Sequence, residues 1–308
     1  MKEIYFLIFL TGIMLMEAVL ADASYKQPIF TLEFNIYGTG AEIRFNDFPV
    51  YYHDAEGQTS SQIPIPESII DGENILTIRS FTLEEDGHKF RKNSYVEAII
   101  SVREKNAPLN KNKILLQLKL NPGNPKNKLL DNTLAEYGDK KAVLLDYSEK
   151  LAVVERRTNI KSPFPRWAWQ DGQFIDDSPE NFNSLVEVYK EIWNALNSGD
   201  RDKIRELYDP AAKEFADAYH YGDKQNGHRI MNTGGLINDP DWGLGSLNAR
   251  LDKRKYYLDI YADGRMARLI DTKKNESLIT YLNKNVKMVN FQKFGFYKNK
   301  NNEWVMIR

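Results

Sequence analysis

The sequence predicts two domains, an all-β sandwich or jelly roll followed by an α+β unit in which helices pack on a curved antiparallel sheet. Three observations carry this. The 308 residues exceed the roughly 150 that an ordinary domain occupies. Apolar residues recur with a period near two from Phe30 to about Leu120, and the period becomes helical after Ser178. A composition of 42% hydrophobic, 12% aromatic and 28% charged residues supports packed cores and excludes wholesale disorder.

The chain opens on Met1-Lys2-Glu3, an uncharged run from Ile4 to Met16, and Ala21-Asp22-Ala23. As a helix that run covers about 20 Å, short of a hydrocarbon core of roughly 30 Å. Small residues at Ala21 and Ala23 suit a signal peptidase, so residues 1–23 are expected to be an export signal cleaved before Ser24. Because Glu3 offsets Lys2, an uncleaved membrane anchor is the alternative. Export places the protein in the periplasm or outside the cell. The absence of cysteine removes disulfides, thiolate zinc sites and cysteine nucleophiles, and suits a bacterial envelope protein. With 42 basic against 43 acidic residues and a net charge of -1, no basic footprint for nucleic acid exists.

The sandwich is expected over residues 24–160. Phe30 to Ile36 alternates strictly, and Ala41 to Tyr52, Asn74 to Phe81, Tyr95 to Val102 and Ile114 to Leu120 repeat the pattern between turn-forming clusters. Each sheet then has one apolar face that the other must cover. Asn121 to Lys141 reads as a connection. Two apolar bursts within Ala142 to Asn159, on either side of Asp146 to Lys150, read as a hairpin closing the domain. Residues 161–178 form a Pro/Trp linker, since Pro163 and Pro165 exclude both helix and central strand.

The second domain, residues 179–308, opens on a hydroxyl cap, a first-position proline and an acid, Ser178-Pro179-Glu180. Phe182, Leu185, Val186, Tyr189, Ile192, Trp193 and Leu196 share one helical face, and Gly199 stops the helix. Shorter helices are predicted from Arg201 to Leu207 and from Pro210 to Tyr219, then a Gly-rich loop. Strands follow from Lys255 to Ile260, Arg265 to Asp271, Ser277 to Leu282, Asn290 to Tyr297 and Trp304 to Ile307, with turns at Asp263-Gly264 and Lys298 to Asn302.

Two resemblances add to this reading. Ala41 to Asp47, followed by Ile69 to Arg79 with its Gly72-Glu73-Asn74 turn, resembles the layout of galactose-binding-like jelly rolls, which implies architecture and no binding residue. Glu191 to Asp200, Ile204 to Tyr208 and the closing Phe294-Gly295-Phe296-Tyr297 and Glu303 to Ile307 resemble the nuclear transport factor 2-like (SnoaL-like) cone. That superfamily contains enzymes, ligand carriers and interaction modules, so it implies a fold and no single function.

Enzymes of the cone fold use pocket acids and bases, which makes Tyr189, Asp217, His220, Asp259 and Asp271 the residues to weigh. His220 and His228 lack zinc spacing, and His53 and His88 lie in the other domain. Tyr219, His220 and Tyr221 therefore read as an aromatic cluster at a helix end. Asn238 to Gly245 fails the calcium-loop register and reads as a turn anchored by Trp242. Trp167, Trp169 and Trp242 either lock the domains together or form an external binding surface. The Lys/Asn runs, Asn106 to Lys113 and Lys298 to Asn302, read as solvated turns. No nucleophile elbow, phosphate loop or dinucleotide fingerprint occurs, so no cofactor, metal or catalytic residue is assigned.

The resulting expectation is an exported binding protein that touches a protein partner in the envelope, in the manner of an antitoxin-like immunity protein against a secreted effector. No nucleic acid and no membrane insertion after signal cleavage are expected. Candidate binding residues are Trp167, Trp169, Tyr219, His220, Tyr221 and Trp242. The alternatives are a small-molecule enzyme or carrier with Asp217 or His220 near the cone mouth, and envelope-glycan binding through Trp167 and Trp169.

Overall fold

A computed structural model describes residues 25–87, 89–124, 140–233, 235–247, 255–271 and 277–308. The expected export signal, His88 and most of the Asn121 to Lys141 connection lie outside the described residues. Among the described residues the chain is β-rich, with sixteen strands in four sheets and three α-helices.

The N-terminal half comprises β1 (Pro28–Tyr37), β2 (Gly40–Phe45), β3 (Phe48–His53), β4 (Gln58–Pro64), β5 (Gly72–Phe81), β6 (Tyr95–Glu104), β7 (Lys113–Leu120), β8 (Val143–Tyr147) and β9 (Leu151–Ile160). They form two antiparallel sheets, ordered β4-β1-β6-β7 and β3-β2-β5-β9-β8. Alternation dictates which face is dry: Phe30, Leu32, Phe34 and Ile36 of β1 and Ala41, Ile43 and Phe45 of β2 enter one shared core.

The segment from Ala41 to Tyr52 is a hairpin rather than one strand. Asn46 and Asp47 adopt φ of 51° and 62°, the primed turn that matches strand twist. Asn46 is locked there: its Nδ2 donates to Ser68 O and Asn74 Oδ1, both at 2.7 Å, and its Oδ1 accepts from Ile75 N at 2.8 Å. β4 was not expected from its polar sequence. It exists because the edge of β1 supplies backbone partners from Thr31 to Tyr37.

The C-terminal half begins with α1 (Pro179–Ser198), α2 (Arg201–Ala218) and α3 (Lys224–Met231). Ser178 caps α1 by accepting from Asn181 N, and Gly199 ends it at φ 68°. The two short helices expected between Arg201 and Tyr219 are a single helix that runs through Pro210. Tyr208, Ala211, Ala212 and Ala216 are buried along it, and that packing offsets the backbone bond the proline removes. α3 replaces the beginning of the expected loop.

β10 (Trp242–Leu244), β13 (Ile279–Asn283) and β14 (Val289–Gln292) form one sheet, and β11 (Tyr256–Tyr261), β12 (Met266–Asp271), β15 (Phe296–Lys298) and β16 (Trp304–Met306) another. The expected strand from Asn290 to Tyr297 is thus split between sheets. Gly295 sits at the break, where a Cβ would lie 2.3 Å from the Tyr261 hydroxyl. A second core gathers α1 around Tyr189 against Leu269, Phe294 and Phe296.

A third buried cluster draws on both halves: Phe48 from β3, Trp167 and Trp169 from the connecting segment, and Ala218, Tyr261 and Met266 from the C-terminal half. No described helix is long and apolar enough to cross a membrane.

Candidate functional site

The outer face of one N-terminal sheet meets the sheet of β11 and β12 in an open groove of about 500 Å³. Strand parity builds it. Because Ala41, Ile43 and Phe45 point into the core, Glu42 and Arg44 project to the opposite face, where Glu42 stands across from Arg79 on β5 and Tyr52 on β3. From the other side Asp259 on β11 faces its cross-strand partner Arg268 on β12. Opposite charges placed directly across a pair are the favourable arrangement in a sheet.

These groups form one chain of contacts. Arg44 Nε donates to Glu42 Oε1 at 2.8 Å, Arg44 Nη1 to Asp47 Oδ1 at 2.7 Å, and Arg44 Nη2 lies 3.7 Å from Asp259 Oδ1. Arg268 Nε donates to Asp259 Oδ2 at 2.7 Å, and Arg79 reaches Glu42 at 3.4 Å. Burial works against the charge of Arg44, but Glu42, Asp47 and Asp259 more than offset it and hold its pKa above the ordinary value. The floor is therefore fixed by its own ion pairs and hydrogen bonds.

The rim is aromatic and open. Tyr52 and Tyr257 are 40% and 42% exposed, and Arg79 is 46% exposed. Tyr52 stacks on Phe81 at 5.6 Å. The Phe81 ring in turn lies against Gly40, where a Cβ would come within 2.2 Å of it.

Five of the six candidate binding residues converge elsewhere, on the buried joint between the halves. Trp167 and Trp169 are 3% and 5% exposed, so neither presents a ring face on which a glycan could stack. Trp167 Nε1 donates to Ile69 O at 2.8 Å, and Trp169 packs edge-on against Phe48 at 4.9 Å. The end of α2 is clamped to the N-terminal half. Lys105 Nζ donates to the carbonyls of Tyr219 and His220 at 2.7 and 3.2 Å and sits 4.0 Å above the Tyr221 ring. His220 Nε2 lies 2.9 Å from Pro28 O, which makes it the protonated nitrogen. Trp242 stands apart on β10, half-buried and paired with Asn283 on β13.

The joint also buries a carboxylate. Glu214 on α2 lies 3.3 Å from Arg308, whose guanidinium covers the Phe48 ring at 3.9 Å. Burial pushes the Glu214 pKa up to about 7; Arg308 opposes that rise, and Glu67 adds to it.

The five acid/base candidates do not share one site; two of them, Asp259 and Asp271, do. Tyr189 is fully buried, accepts from Leu269 N at 3.3 Å, and is pushed well above the usual phenol range by that burial. Among the described residues the void beside it, bounded by Phe294 and Leu269, measures about 10 Å³, too small for a metabolite. Asp217 pairs with Lys213 at 2.7 Å, and His220 is engaged at the joint. Asp259 and Asp271 line the groove. No three His, Asp or Glu side chains converge as metal ligands among the described residues.

Of the groove residues, sequence reasoning weighed Asp259 and Asp271 as acids and passed over Glu42, Arg44, Arg79, Tyr52, Tyr257 and Arg268. The signal was present in β2, where charged residues alternate with core residues and mark an outer face that is not simply wet. Comparison with protein families, curated proteins and solved structures finds no match for this chain.

Proposed function

We propose that the protein is an exported, non-enzymatic binding protein of a Gram-negative envelope. In this reading it consists of two domains, a jelly-roll-like sandwich and a cone-like α+β unit, and it grips a protein partner through the groove they build together. The supporting observation is the rim of Tyr52, Tyr257 and Arg79 around a pre-paired ionic floor. Tyrosine and arginine are the side chains that dominate protein interfaces, and a floor already ordered by its own ion pairs loses little freedom on binding. The partner we favour is a secreted toxic effector, which the protein occludes as an antitoxin-like inhibitor.

A co-culture experiment tests this. A strain lacking the protein should be outcompeted by its own parent, and the wild-type protein should restore survival. A Tyr52→Ala/Tyr257→Ala protein with unchanged thermal unfolding should not. Equal fitness of the deletion strain would remove the antitoxin reading, and full rescue by the double variant would remove the groove from it. Recovery of a periplasmic form beginning at Ser24 is the accompanying expectation for export.

A further inference from the structure

A second cavity, of about 480 Å³, opens between the first turn of α2, one side of α3 and the residues Asn232, Thr233, Gly235 and Ile237. It shares no lining residue with the groove. Its shape follows from a close helix contact: at Gly227 a Cβ would lie 2.0 Å from Ala212 O, so only glycine lets α3 settle this deeply on α2. That approach brings His228 of α3 onto Asp209 of α2, with Nε2 2.7 Å from Asp209 Oδ1 and Nδ1 3.2 Å from Thr233 Oγ1. The imidazole, 5% exposed, thus forms a fixed wall.

Around this wall the cavity is cationic. Among the described lining residues Arg205 on α2 faces Arg229 on α3, with Arg201 one turn before Arg205, against one acid, Asp202. Arg205 donates to the amide oxygen of Gln225 at 2.7 Å, and Arg229 to that of Asn226 at 3.3 Å. Amide oxygens orient a guanidinium without neutralising it. Asp209 is occupied by Lys224 and His228. Ile204 and Ile237 supply an apolar side.

From this we infer that the α2–α3 cavity binds a small phosphorylated molecule, with the phosphate held by the arginine forks and the organic part against Ile204 and Ile237. Planar guanidinium groups match phosphate oxygens in pairs, and the volume is that of a small-ligand site, about 300 to 1,000 Å³.

The test is calorimetric titration of the purified full chain with inorganic phosphate, pyrophosphate and citrate. Pyrophosphate should bind saturably and more tightly than citrate. The Arg205→Gln/Arg229→Gln variant should weaken it at least tenfold, about 1.4 kcal/mol, while Arg79→Gln in the groove leaves it unchanged. Both cavity arginines are exposed, so the variant should unfold at the wild-type temperature. Absence of saturation by pyrophosphate up to about 10 mM overturns the proposal. Equal affinity for citrate, or binding that survives the double substitution, overturns it as well.

Discussion

The two halves of the molecule meet twice, and the meetings differ in kind. At the joint, Phe48, Trp167, Trp169, Tyr261 and Met266 exclude water and leave one carboxylate, Glu214, buried beside Arg308. At the groove the same halves approach through Glu42, Arg44, Asp259 and Arg268, and the space between stays open. Packed aromatic surface stabilises in proportion to the apolar area removed from water. The groove's ion pairs give up most of their water, and that desolvation offsets most of the Coulombic gain. The contrast teaches that the joint holds the halves in register and the groove uses that register to present fixed charge.

The largest expected effect comes from the joint. Trp167→Ala removes a buried indole and its bond to Ile69 O, and should cost about 3 to 5 kcal/mol in chemical denaturation. A loss under about 1 kcal/mol, the range of surface substitutions, would show that the halves are held together by something else.

Glu214 sharpens the comparison through pH. Its folded pKa is raised from 4.5 to about 7, so the folded protein keeps a proton that the unfolded chain releases. The contribution is present in full below about pH 4.5 and is lost as pH rises through 7. At about 1.4 kcal/mol per unit it is on the order of 3 kcal/mol. Denaturation at pH 5 and pH 8 should show this decline in the wild type, and Glu214→Gln should flatten it. An unchanged slope would place the titration elsewhere.

The smallest of these effects belongs to the groove. Asp259→Asn weakens the contacts to Arg268 and Arg44 and should cost about 1 to 2 kcal/mol, since both cations keep some solvent and Arg44 keeps Glu42. A cost as large as that of Trp167→Ala would mean the groove is structural rather than presented.

Much of the fold was legible from spacing alone. β1, β5, β6 and β7 follow alternation, the β8–β9 hairpin follows its two apolar bursts, and α1 follows its cap, its stripe and Gly199, because these signals lie within one element. α2 was misread because Pro210 is a local stop signal that a packed helix face overrides. α3 was missed because Asn226 and Gly227 are poor helix formers, and what holds them is the approach to Ala212 and the bond from His228 to Asp209. The candidate site was less legible still. The tryptophans were visible as anomalies of a Pro-rich segment, whereas the groove needs Glu42 and Asp259, 217 positions apart in the chain, to share one floor.

Composition and periodicity thus suffice for the β-rich class, the absence of cysteine chemistry and the order of most elements, since each depends on neighbours a few residues apart. Where the charged faces meet, which tryptophans are shielded, and how two helices enclose a cationic cavity depend on the docking of distant surfaces. Those outcomes were decided only in three dimensions, because water is excluded from a side chain by whatever packs over it, and the covering group can come from anywhere along the chain.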